Sequence, residues 1–217
     1  MDGATIQARI YAGRGKAALR IGLDCRQYRP LSIGAPLGNL VGTIKAAFNS
    51  GDNTYRAPNM PGDAYWGADL DGSVVQQGDY LVRVSDAQTW FVAGLQPLLP
   101  IICAECNRAI RITRQVAVTA VGAVGYSGMV PAQEVDVLGA PGALWPASLL
   151  LLGRKEKATE LPAGVKNAGW RLLLPPSVPI TVMAGDIATD DLGRRYAIGS
   201  AEMTDLGWRM DANEVHS

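Results

Sequence analysis

Leu81, Arg83 and Ser85 alternate with Val82 and Val84, the period of two that a half-buried strand requires. Ser85-Asp86-Ala87-Gln88 then supplies a polar reversal into Trp90-Phe91-Val92, aromatic and β-branched residues that suit a pleated face. This pattern predicts a hairpin. A second one is predicted where Thr189-Asp190-Asp191-Leu192-Gly193 leads into Arg195-Tyr196-Ala197-Ile198. Gly193 can take the positive φ of a tight reversal, and Asp190 and Asp191 are read as turn formers whose carboxylates accept nearby backbone N–H groups. Each hairpin follows a Gly-Asp pair, Gly78-Asp79 and Gly185-Asp186, and each lies downstream of a tryptophan, Trp66 and Trp170. The order Trp, apolar strand, Gly-Asp, polar turn, aromatic strand therefore occurs twice.

Further extended segments are read at residues 6–13, 17–25, 109–121, 147–154 and 170–176. The best helical pattern is residues 36–50, where Leu37, Leu40, Val41, Ile44 and Phe48 would share one face, although Gly38 and Gly42 weaken it. From Gln115 to Gly153 there is neither Lys nor Arg, and the stretch is rich in Gly, Ala and Pro. The expected fold is all-β: two small barrels or sandwiches in tandem, with at most short helices. The N-terminal domain would span 1–118, a linker or extended loop 119–144, and a C-terminal barrel-like domain 145–217.

The 217 residues suffice for one large or two small domains, and 25 Gly with 13 Pro fit many turns between short elements. Twenty basic and twenty acidic residues cancel, so no overall field steers nucleic acid or an anionic membrane toward the chain. Locally the N-terminus is basic. Arg9, Arg14, Lys16 and Arg20 are candidate contacts to an acidic neighbouring subunit or to passing DNA. The longest leucine run, Leu149 to Leu152, is far too short to cross a bilayer, and the first ten residues lack the apolar core of a signal peptide. Synthesis in a cytoplasm, with reduced thiols, is expected.

The candidate chemistry fails motif by motif. Gly13, Gly15 and Lys16 suggest a phosphate loop, but Ile10 and Ala17 stand where that motif needs Gly and Ser or Thr; a basic turn is the alternative. Cys103 and Cys106 have metal or redox spacing, yet only Cys25 and His216 could complete a zinc site, so buried thiols are expected. Asp69, Asp71 and Gly72 mimic part of a calcium loop without its first and last anchors, which favours a β-turn at Asp71-Gly72. Ser127 lacks a nucleophile-elbow frame, and the single histidine, His216, is next to the last residue. No cofactor, metal or catalytic set is expected. Trp66, Trp90, Trp145 and Trp170 adjoin apolar strand residues and read as core; Trp208 is the candidate exposed anchor at a protein interface.

The stretch from Gly78-Asp79 through Arg114, and above all Gly185-Asp186 leading to Arg194-Arg195-Tyr196-Ala197-Ile198, resembles virion proteins encoded near the capsid genes of tailed bacteriophages. Its layout is similar to head-closure, stopper and tail-completion proteins, small β-barrels that form rings beneath the portal. The resemblance implies a homo-oligomeric structural component of a virion, assembled in the host cytoplasm at the head–tail connection or in the tail. Its partners would be portal, tail or fibre subunits, with nucleic acid only in passage. Two tandem copies depart from the family's single-domain pattern. A fibre-attachment or receptor-binding module that holds a glycan or a fibre protein is the rival, and a tail-associated hydrolase using Asp190 and Asp191 is a weaker one.

Overall fold

The computed structural model describes residues 2–49, 64–116, 133–152 and 169–215. Among the described residues one helix, α1 (Gly3–Ile21), precedes thirteen strands. Six of them, β1 (Leu23–Tyr28), β2 (Leu40–Asn49), β3 (Tyr65–Asp69), β4 (Tyr80–Arg83), β5 (Thr89–Gly94) and β6 (Ile101–Cys106), close a barrel in the order β1-β2-β3-β6-β5-β4. The second sheet contains β7 (Arg108–Val116), β8 (Gln133–Leu138), β9 (Trp145–Leu151), β10 (Gly169–Leu174), β11 (Ile187–Asp190), β12 (Arg195–Thr204) and β13 (Gly207–Val215). Its order is β11-β12-β13-β10-β9-β7-β8, and an extra β11–β7 pairing closes all but β8 into a second six-membered ring. The all-β expectation holds.

The strand pairings show that the two rings are built alike. β4 and β11 carry residues 80–83 and 187–190, each leading through a hairpin into β5 or β12. Trp66 pairs with Cys103 and Trp170 with Ala212, while Val92 and Ile198 face those same partners from the other side. The inward positions correspond: Leu81, Trp90, Val92 and Ile101 fill the first barrel, and Ala188, Tyr196, Ile198 and Met210 fill the second. Along β7, β8 and β9 together take the place that β2 has along β1, with a corner at Gly139–Ala143 between them. The repeated Trp, Gly-Asp and aromatic pattern of the sequence is thus a repeated barrel.

The first barrel has its own inner core, whereas its outer face joins the second barrel's core. Tyr80, Phe91, Ala93 and Ala104 turn outward from β4–β6 and pack into the larger cluster with Trp145, Ala147 and Leu173. Tyr80 meets Trp145 edge to face at 6.3 Å, and its hydroxyl donates to the Pro146 carbonyl at 2.7 Å. The barrels are therefore joined by an aromatic contact whose polar tip is satisfied.

Three local expectations change. Residues 6–13 and 17–21, read as strand with a basic turn between them, lie in α1, while 23–25 are strand as expected: Asp2 caps the helix by accepting from the Thr5 N–H at 2.9 Å, and its alanines, arginines and Gln7 are good helix formers. Conversely, residues 40–49 of the expected helix are β2. There Ile44, Ala46 and Phe48 alternate into the barrel core, so the period of two overrides the looser helical spacing. The change of sheet also falls at Asn107, earlier than the expected boundary at 118, and residues 133–138 of the expected linker are strand. β7 follows β6 after that one residue, and both its edges are held by the second sheet.

Candidate functional site

The four basic candidates all lie on α1, but not on one side. Arg9, Lys16 and Arg20 are exposed, and their spacing of seven and four places them along one face of the helix. Arg14 points the other way, reaching the Asp69 carboxylate and the Ala68 carbonyl, each at 3.4 Å. Beside Lys16 runs a groove of about 460 Å³ lined also by Leu19, Ile44, Lys45, Asp71 and Val74. Lys45 is bridged to Asp24 at 3.0 Å, so the groove presents both signs of charge together with apolar walls. Such a lining suits a polypeptide segment more than a single anion. Trp208 is half-buried against the larger core, paired opposite Met203 and Leu174.

The carboxylates that organise the molecule are Asp79 and Asp186. Asp79, 1 % exposed, accepts two hydrogen bonds from Arg29, both at 2.8 Å, one from the Gln27 amide at 2.6 Å and one from the Gln76 N–H at 2.8 Å. Asp186 repeats this: Arg114 donates at 2.7 and 2.8 Å and the Met183 N–H at 2.8 Å. The glycine before each has φ near +90°, and its N–H bonds to the carbonyl of Val92 or Ile198 at 2.8 Å. Each clasp thus ties the loop entering β4 or β11 to the end of β1 or β7, where the ring closes. The hydrogen bond to its aspartate raises the pKa of Arg29, and likewise that of Arg114. Asp79 and Asp186 were visible in sequence as the Gly-Asp twins, but their arginines were not; Tyr28-Arg29 and Thr113-Arg114 at strand ends were the available signal.

The other end of each barrel carries an arginine over aromatic rings. Arg83 lies 5.0 Å from the Trp90 ring and bonds to Asp86 at the hairpin turn; Arg194 lies 5.6 Å from Trp170 and 5.8 Å from Tyr196 and bonds to Asp190. Asp190 also accepts from the Leu192 and Arg194 N–H groups at 3.0 and 2.8 Å and from the Tyr196 hydroxyl at 3.1 Å, and Gly193 has φ +80°. Asp190 is therefore a turn former, as expected, and Tyr196 is pushed up to about 12 by burial and then by Asp190. Asp191 stands apart, 4.0 Å from Arg108. The two acids face different partners, Asp190 its own turn with Arg194 and Tyr196, Asp191 the Arg108 side chain.

The remaining motifs resolve as architecture. Cys103 and Cys106 are an odd number apart on β6, so they face opposite sides; Cys103 lies in the barrel core with Cys25. Burial raises all three thiols, Cys25 to about 11, which keeps them protonated at neutral pH. Asp71 forms the expected turn, accepting from the Ser73 N–H at 2.9 Å and the Ser73 hydroxyl at 2.6 Å. Among the described residues no three His, Cys, Asp or Glu side chains gather as metal ligands. Ser127 and His216 lie outside the described residues. Comparison of the chain with protein-family models, curated proteins and solved structures found no match.

Proposed function

We propose that this chain is a structural component of a tailed-phage virion, acting without turnover as an adaptor at the head–tail connection or in the tail. One observation carries the protein-binding part of that reading: large apolar side chains are left outside, on α1 and the β1–β2 region. Leu19, Ile21, Leu31 and Leu40 are 71, 57, 75 and 55 % exposed. Single exposed leucines are ordinary, but a succession of them along one helix end and the strands it enters suits another subunit. The buried carboxylates, by contrast, are committed to closing barrels and turns. The phage assignment rests on the layout of the two Gly-Asp hairpins described above. Mass photometry of the protein mixed with a portal ring of the same virion tests it. Binding in multiples of 23.0 kDa is expected, and an unshifted portal peak would refute it.

A second reading, a fibre-attachment or glycan-binding module, draws on Trp170, whose half-buried ring lies 5.6 Å from the Arg194 guanidinium at one end of the second barrel. Quenching of tryptophan fluorescence by host glycan would favour this module over the connector.

A further inference from the structure

The repeat shows how one barrel receives another. Within the chain, the first barrel meets the second at β9, where the Tyr80 hydroxyl reaches the Pro146 carbonyl, and on the outer side of the β9–β10 pair Ser148 and Leu173, opposite each other, are 1 and 2 % exposed. Their counterparts by register in the first barrel are Ala47 and Asp69 on the β2–β3 pair. That face is taken by α1: Arg14 bonds to Asp69, and α1 packs along β2 and β3. The seat is close. A Cβ on Gly15 would lie 3.1 Å from the Asp71 side chain, and one on Gly72 would lie 2.5 Å from the Tyr11 ring.

The other end of the stack differs in the same sense. The face that the first barrel presents to the second is a row across the sheet, Tyr28, Tyr80, Phe91, Ala104 and Tyr65, each opposite the next in register. The corresponding row on the second barrel is Thr113, Ile187, Ala197, Asn213 and Gly169. Its aromatics are gone. Ile187 is the one large apolar side chain in the row, Thr113 is buried with its hydroxyl held by Glu134 and the Ile187 carbonyl, and the other three are small or polar, as suits the terminal unit of a stacked array that takes no further copy.

We infer that the chain is a finished two-barrel stack: α1 occupies the receiving face of the first barrel, the second barrel lacks the aromatic row that would dock, and free chains do not add to one another through these faces. The consequence deepens the proposed function and rests on it only there: ring formation would depend on a template such as the portal, through contacts other than barrel stacking. The stack itself is read from geometry alone.

Sedimentation velocity of the full chain, run across a range of concentrations, tests the closure. The expected result is a single 23.0 kDa species, or an association that Ala197→Arg leaves unchanged. An oligomer that Ala197→Arg dissolves would overturn the inference. A gain-of-function arm keeps the test positive. Ile187→Tyr with Ala197→Phe rebuilds part of the row, and Ala18→Asp, at a helix position 1 % exposed, lifts α1. Each change alone should leave the sedimentation unchanged, and the combination should associate head to tail. A combined variant that keeps its β circular dichroism and does not associate would overturn the inference. If Ala18→Asp unfolds the barrel, Arg14→Glu, which faces Asp69, replaces it with the same expected result. A portal mixture without binding would refute the phage reading and leave this closure standing.

Discussion

Asp79→Ala removes the acceptor shared by Arg29, Gln27 and the Gln76 N–H, leaving three donors around a site that is 1 % exposed. Breaking a buried ion pair from one side costs about 3–5 kcal/mol, because the other charge stays behind. Arg29 keeps 28 % of its side chain in water, so solvent recovers part of that cost and the lower end, about 3 kcal/mol, applies. For a chain of this size each kcal/mol moves Tm by about 2–4 °C, giving a fall of about 6–12 °C. Asp186→Ala breaks the same clasp, but the position of Gln27 is held there by Ile112, which has no donor to strand. Its cost should be lower by about 1 kcal/mol. Urea unfolding of both variants, with Arg29→Met and the double variant Arg29→Met/Asp79→Ala to close a cycle, measures the coupling directly; about 2–3 kcal/mol is expected. If both single aspartate variants cost under about 1 kcal/mol, the clasps are ordinary surface pairs and the account of ring closure is wrong.

At the second hairpin, Asp190→Ala should destabilise by about 2–3 kcal/mol because two backbone N–H groups and the Tyr196 hydroxyl lose their acceptor, while Asp191→Ala should stay within about 0.5 kcal/mol; equal effects in chemical unfolding would refute the assignment of roles. Gly185→Ala should cost about 1 kcal/mol for its φ of +93°, since its Cβ would meet nothing within 4 Å. Gly78→Ala should cost roughly 1–3 kcal/mol more, because its Cβ would lie 2.6 Å from the Ser177 side chain, and thermal unfolding of the two variants ranks them. Cys25 ionises at an ordinary value of 9.0 when unfolded and at about 11 when folded, so its contribution is whole below pH 9 and is lost as the pH rises toward 11. Tm should therefore fall across that window and fall less in Cys25→Ala; an identical slope in both would count against burial of the thiol.

The hairpins were legible in sequence because their signals are local: a period of two, a polar turn with Gly193, and the Gly-Asp entry. The repeat was legible for the same reason, since Trp66 and Trp170 precede those hairpins at similar distances. The α1 and β2 segments were not, because each carries a pattern that fits two periods. In residues 3–21, Ile6, Ala8, Ile10 and Ala12 alternate as a strand would, and only Ala18 is buried, so the cap at Asp2 was the better guide than hydrophobic spacing. In 40–49 the decision comes from the barrel, which buries Ile44, Ala46 and Phe48 on one side. The boundary at Asn107 was hidden because two strands of one extended run belong to different sheets. The clasp arginines were hidden for a similar reason. Arg29 is 50 residues from Asp79, and Arg114 is 72 from Asp186.

On the proposed function, the two copies of one barrel are held against subunits of a virion. Electron microscopy of the protein bound to a portal ring addresses it most directly. The account predicts a ring of added density on the portal, each subunit resolving into two adjacent six-stranded barrels that contact their neighbours through the α1 and β1–β2 side. A bare portal, or density in which that side faces solvent, would contradict it.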